Sequence, residues 1–146
     1  MSDRDDAPNG LDQARAMLAA GGRPPIGKTL DFALVEVTEG RAVFAGDPGE
    51  ETYNPMGTVH GGYAATLLDS ACGFATLSKL APGQSFTTLE LKVAYHRAMT
   101  AQTGPVRAEA VITSFGRRIA YAEGKLTDAS GKLLASATST LLVLNP

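Results

Sequence analysis

The chain of 146 residues sets 13 Lys and Arg against 15 Asp and Glu, a formal net charge of −2, with 44% apolar and 19% charged residues; such values describe a single globular domain. One cysteine excludes a disulfide scaffold, and without a Lys/Arg-rich run there is no long-range attraction for nucleic acid or an anionic membrane. The acidic start, Met1 to Pro8, lacks the apolar stretch of a secretory signal, which together with the unpaired Cys72 points to the reducing cytoplasm.

Residues 1–10 read as a flexible tail and 11–146 as one domain. Leu11, Ala14, Met17 and Leu18 fall near helical spacing and predict a short amphipathic helix over 11–20, stopped by Gly21-Gly22 and Pro24-Pro25. The β-formers of 32–38 and 41–45, joined by Glu39-Gly40, read as a hairpin. Residues 47–59 form a loop that delivers the chain to a helix over about 62–80. That helix carries apolar or small residues on nearly all sides, so it is expected to be buried on most of its circumference. Asp69 at its middle argues against a membrane span.

The remainder reads as long strands. Over 87–95, Leu89, Leu91, Val93 and Tyr95 alternate with Thr88, Glu90, Lys92 and Ala94, which predicts one core face and one polar face. Strands are expected again over 106–113, 118–127 and 133–144, in a meander, with a turn at Asp128-Ala129-Ser130-Gly131. The architecture predicted is α+β: an antiparallel sheet of five to six strands wrapped around one long central helix, plus the short N-terminal helix. One such layer leaves sheet edges uncovered, so pairing with a second copy is expected.

Between Thr52 and Ser78 the only formally charged residue is Asp69. A carboxylate in an apolar helix needs either a partner or a function, since burying it alone costs several kcal/mol. The segment Asn54-Pro-Met-Gly-Thr-Val-His60-Gly61-Gly62 precedes it. Glycines at a helix start leave N–H groups unpaired at the positive end of the helix dipole, a place for a developing oxyanion. With Asn54 and His60, the set contains a carbonyl polariser, a carboxylate to activate water and an amide to orient it, the parts of acyl-transfer chemistry. No closed metal-ligand set and no nucleotide-binding glycine pattern is visible, so no cofactor is expected.

Asn54, His60-Gly61-Gly62 with an acid nine positions after the histidine, the run Thr87 to Tyr95 and Gly116-Arg117-Arg118 resemble the hotdog-fold acyl-CoA thioesterases of the phenylacetate-pathway (PaaI) type, relatives of the 4-hydroxybenzoyl-CoA thioesterases. The resemblance spans about residues 25–144. It implies hydrolysis of an acyl-CoA, with Asp69 as general base or nucleophile, the Gly61 N–H as oxyanion donor, His60 holding the loop and Asn54 positioning water or carbonyl. It implies a homodimer or homotetramer with active sites at the subunit interface. Gly62, Thr88, Ser114, Arg117 and Arg118 are candidates for contacts to substrate and coenzyme A, the two arginines for its phosphates. Met56, Phe74, Met17 and Leu18 are candidates for an acyl pocket or ordinary core. At Gly73 some relatives carry a hydroxyl residue, which is missing here. Two other readings remain: a hotdog hydratase or dehydratase on acyl-CoA or acyl carrier protein, and a noncatalytic acyl-CoA-binding module.

Overall fold

The computed structural model describes residues 6–146. Its elements in order are α1 (Gly10–Ala19), α2 (Pro25–Leu30), β1 (Phe32–Thr38), β2 (Arg41–Gly46), α3 (Gly61–Leu77), β3 (Ser85–Tyr95), β4 (Val106–Phe115), β5 (Ile119–Asp128) and β6 (Leu133–Leu144). Of the tail expected over 1–10, residues 1–5 lie outside the described residues, and Asn9 already caps α1 by accepting the Asp12 N–H at 2.9 Å. No helix among the described residues is long and apolar enough to cross a membrane.

All six strands join one antiparallel sheet in the order β1-β2-β4-β5-β6-β3, and α3 packs against every one of them. The expected meander holds for β4, β5 and β6. It does not include β3, which pairs with β6 and therefore stands at the far edge. Ala64, Leu67, Leu68, Ala71, Cys72 and Ala75 on α3 are fully buried against Phe44, Val106, Ala108, Leu126 and Leu141 of the sheet. Each buried leucine side chain contributes roughly 2 kcal/mol of transfer free energy. The helix ends at Leu77 rather than 80: the Ser78 hydroxyl donates to the Ala75 carbonyl and accepts the Gly40 N–H at 2.8 Å, which ties the β1–β2 turn to the helix end.

The sequence pattern does not predict the short helix α2. Pro24-Pro25 reads as a terminator, yet a proline at the first helical position loses only an N–H that has no partner there. Six residues are too few for an apolar period to show.

The two sheet edges differ. At β1 the Gly22 carbonyl accepts the Leu34 N–H at 2.7 Å, the left-handed Gly22 (φ 75°) lets the backbones approach, and α1 lies alongside. At β3 nothing among the described residues plays that part. The β3–β6 register also slips between Thr88 and Glu90, so Leu89 is an extra, bulged residue. Upstream of the bulge the inward positions are Phe86 and Thr88; downstream they are Leu91 and Val93. Leu89, expected in the core, is 55% exposed, and Tyr95 is 56% exposed.

Candidate active site

The α3 helix is not apolar all round in space. Its core side is the row just described, while Gly62, Ala65, Thr66, Asp69 and Ser70 form a partly exposed stripe beside β3. Asp69 is thus half-buried at the open sheet edge. Its carboxylate Oδ1 accepts the Thr88 hydroxyl at 2.9 Å, a charge-assisted bond made available by the bulge. One turn further on, Gly73 faces the Phe86 ring, which stands 3.1 Å from where a Cβ would be. A side chain at 73 would crowd that ring.

The start of α3 is built by three bonds. His60 is the N-cap: its Nδ1 accepts the Gly62 N–H at 2.7 Å, its carbonyl accepts the Tyr63 N–H at 3.0 Å, and its own N–H donates to the Thr52 carbonyl at 2.7 Å. Because Nδ1 accepts, the neutral ring carries its proton on Nε2. Gly62 is therefore unavailable as a second oxyanion donor, and the Gly61 N–H is left without an acceptor among the described residues. Gly61 lines a cavity of about 300 Å³ together with Thr58, Val59, Tyr95, His96, Arg97, Ala98 and Met99.

Asn54 closes the preceding loop. Its Oδ1 accepts the N–H groups of Met56 (2.9 Å) and Thr58 (3.2 Å), and its amide donates to the Thr58 hydroxyl at 2.9 Å, leaving one amide hydrogen for another acceptor. Met56 at the loop tip is 79% exposed. Phe74 is partly buried and packs edge to face on Phe44 with ring centroids 5.1 Å apart, and Met17 and Leu18 lie on α1 over the opposite sheet edge. Ser114, Arg117 and Arg118 come together with Gly116, Ile119 and Tyr121 around a groove of about 520 Å³. Ile119 and Thr87 both pair with Leu142, so this groove lies two strands, roughly 10 Å, from the Asp69 end of β3.

Two residues that the sequence does not single out, Tyr95 and Arg97, also line the cavity at Gly61. Its parity in β3 predicts that Tyr95 is a core residue; its hydroxyl instead donates to the Gly61 carbonyl at 2.7 Å. Arg97 carried no motif signal, and only the return of the chain from β3 brings it beside Gly61. No cluster of three or more His, Cys, Asp or Glu suited to a metal ion occurs among the described residues.

Residues 56–135 match the Thioesterase superfamily. The chain belongs to that family. Among curated proteins it is 30% identical over 116 residues to a 1,4-dihydroxy-2-naphthoyl-CoA hydrolase of Listeria monocytogenes, covering 80% of this chain and 93% of that protein. Among solved structures it is similar to a single-site mutant of the phenylacetic acid degradation protein PaaI from Thermus thermophilus, at TM-score 0.74 and 30% identity, covering 82% of this chain and 98% of that one. A phenylacetic acid degradation-related protein of Ralstonia eutropha gives TM-score 0.78 and 28% identity, over 88% of this chain and 97% of that one. The thioesterase thus has the hotdog fold, and its likeness to PaaI-type enzymes holds for fold and family alike.

Proposed function

We propose that the enzyme hydrolyses acyl-CoA thioesters to the free acid and coenzyme A at sites shared by two copies of the chain. The observation that carries this reading is the spacing on α3. Gly61 and Asp69 are eight positions apart on one helix, about 12 Å along its axis, yet a carbonyl polariser and a base must both reach one thioester carbon. Two copies joined at the open β3 edge would let Gly61 of one subunit face Asp69 of the partner subunit.

In that arrangement Asp69 takes a proton from water as the water oxygen attacks the carbonyl carbon. The Gly61 N–H donates to the oxyanion, the C–S bond breaks, and the leaving thiolate recovers the proton. If the carboxylate itself attacks, the C–S bond breaks to release the coenzyme A thiolate as an acid anhydride forms; water then opens the anhydride, its proton going to the thiolate, and the products are the same. His60 fixes the loop, Asn54 closes it and presents its remaining amide hydrogen, and Thr88 orients Asp69. Arg117, Arg118 and Ser114 form the binding groove for the phosphates of coenzyme A. Similarity to the Listeria hydrolase makes aromatic acyl-CoA thioesters the first class to assay.

The test is thiol release from a panel of aromatic and aliphatic acyl-CoAs in excess chelator. Asp69→Asn is expected to lower turnover about 10²-fold or more while remaining folded. Mixing Asn54→Ala with Asp69→Asn should restore part of the activity in heterodimers. Absence of recovery after demonstrated subunit exchange would mean that the residues act within one chain, and hydration of an enoyl-CoA without thiol release would replace the hydrolase reading by a hydratase.

A further inference from the structure

We infer that Tyr95 is a positioning residue for the carbonyl-polarising N–H of Gly61. The inference rests on the proposed role of Gly61.

Glycine has the widest backbone freedom of any residue, so an N–H carried by glycine points in a defined direction only if the peptides on both sides are held. Here both are. The peptide before Gly61 is fixed through its carbonyl, that of His60, which accepts the Tyr63 N–H at 3.0 Å. The peptide after Gly61 is gripped at both ends: its N–H, that of Gly62, donates to His60 Nδ1 at 2.7 Å, and its carbonyl accepts the Tyr95 hydroxyl at 2.7 Å. Tyr95 is the only one of these partners that comes from outside the His60–Tyr63 turn, and it arrives from the last position of β3.

The ring contributes as well as the hydroxyl. A Cβ on Gly61 would lie 3.0 Å from Tyr95 Oη, 3.1 Å from Cζ and 3.2 Å from Cε1, so the phenol covers the face of Gly61 where any other residue has its side chain. Glycine at 61 and tyrosine at 95 form a matched pair: the missing side chain admits the ring, and the ring removes the freedom that the missing side chain creates. A tyrosine more than half exposed at a sheet edge gains little from burial. Its hydroxyl bond to the helix start accounts for its orientation.

The hydroxyl acts on direction, not on binding, so its loss should appear in kcat. Tyr95→Phe keeps the ring and is expected to lower kcat for acyl-CoA about tenfold, with KM within about twofold of wild type and an unchanged melting temperature, since the Gly61 carbonyl also lies within the hydrogen-bonded first turn of α3. In a ¹⁵N spectrum the Gly61 amide should shift and exchange faster in Tyr95→Phe. Tyr95→Ala, which also removes the ring, should lose more turnover. Asp69→Asn is measured beside them. If Asp69→Asn is inactive while Tyr95→Phe keeps wild-type kcat and an unmoved Gly61 amide, Tyr95 is a plain surface residue and the site reading survives. If Asp69→Asn retains full turnover, the site reading falls and the inference with it. A fall in Tyr95→Phe confined to KM overturns the positioning role.

Discussion

Thr88 and Asp69, nineteen positions apart, meet through a 2.9 Å bond from the threonine hydroxyl to the carboxylate of the aspartate. The bond occupies Oδ1 and leaves Oδ2 for a water or a carbonyl carbon. It exists because Leu89 is bulged: with uninterrupted alternation, the faces that bury Leu91 and Val93 would turn Thr88 outward.

Thr88→Val should therefore slow turnover without unfolding the protein. The loss expected is roughly tenfold, the equivalent of about 1.4 kcal/mol in the barrier, and Thr88→Ser should restore most of it. Steady-state kinetics on the three proteins decide; equal kcat for valine and threonine would leave the bond without a role in turnover.

Tyr63 and Gly46 make a stability prediction. The Tyr63 hydroxyl is buried with no hydrogen-bond partner, and it occupies the space that a side chain on Gly46 would need. Tyr63→Phe removes an unsatisfied buried hydroxyl and should stabilise by about 1 kcal/mol. Gly46→Ala should destabilise in the wild type and markedly less in the Tyr63→Phe background. Denaturant unfolding of the four proteins gives the coupling; simple additivity would show that the two groups do not compete.

Stability should fall on the alkaline side. Burial, with a smaller contribution from the Asp69 charge, pushes the Cys72 thiol up to about 12 from 9.0, and burial, then the charges of Asp31, Asp47 and Glu51, pushes the Tyr63 phenol above its usual 10.0. Between pH 9 and 12 the unfolded chain gives up these protons while the folded one retains them. The unfolded state then binds fewer protons, so stability is complete below pH 9 and is lost as pH rises. Tyr63→Phe and Cys72→Ala should each flatten that slope. A wild-type stability that is level from pH 8 to 11 would contradict the prediction. A thiol reagent should also leave Cys72 untouched in the folded protein, which keeps the thiol-release assay free of background.

Arg117 and Arg118 should act on binding of coenzyme A. A phosphate contact remote from the reacting carbon supports ground and transition states about equally, so reversing both charges, Arg117→Glu with Arg118→Glu, should raise KM for acyl-CoA and leave kcat nearly intact. A short acyl-pantetheine thioester, which lacks the nucleotide phosphates, should be used as before. If the two substrates lose equally, the phosphate groove lies elsewhere.

What could be read in advance follows physical lines. The hairpin, the central helix and the strands over 106–144 are visible because each spans enough residues to show its period, and His60-Gly61-Gly62 with Asp69 is visible because the motif lies within one stretch of chain. The bulge at Leu89 is a single extra residue that reverses the parity of all that precedes it in β3, and no local pattern marks it. The partners Thr88 and Tyr95 depend on β3 crossing to the far side of β6, a choice made by tertiary packing. The helix at Pro25–Leu30 hides behind a proline pair whose meaning depends on which residue starts the turn.

The bond between Leu34 and Gly22 has an outcome for assembly. A sheet with two free ends can recruit copies without limit, as a fibre does, whereas a sheet with one end blocked can recruit once and then stops. The segment ahead of β1 is in this sense a terminator. Among the described residues only the β3 edge is left open, so growth of the sheet through that edge would close as a pair, and a chain shortened to begin at Pro24 would lose the block that keeps such an assembly finite.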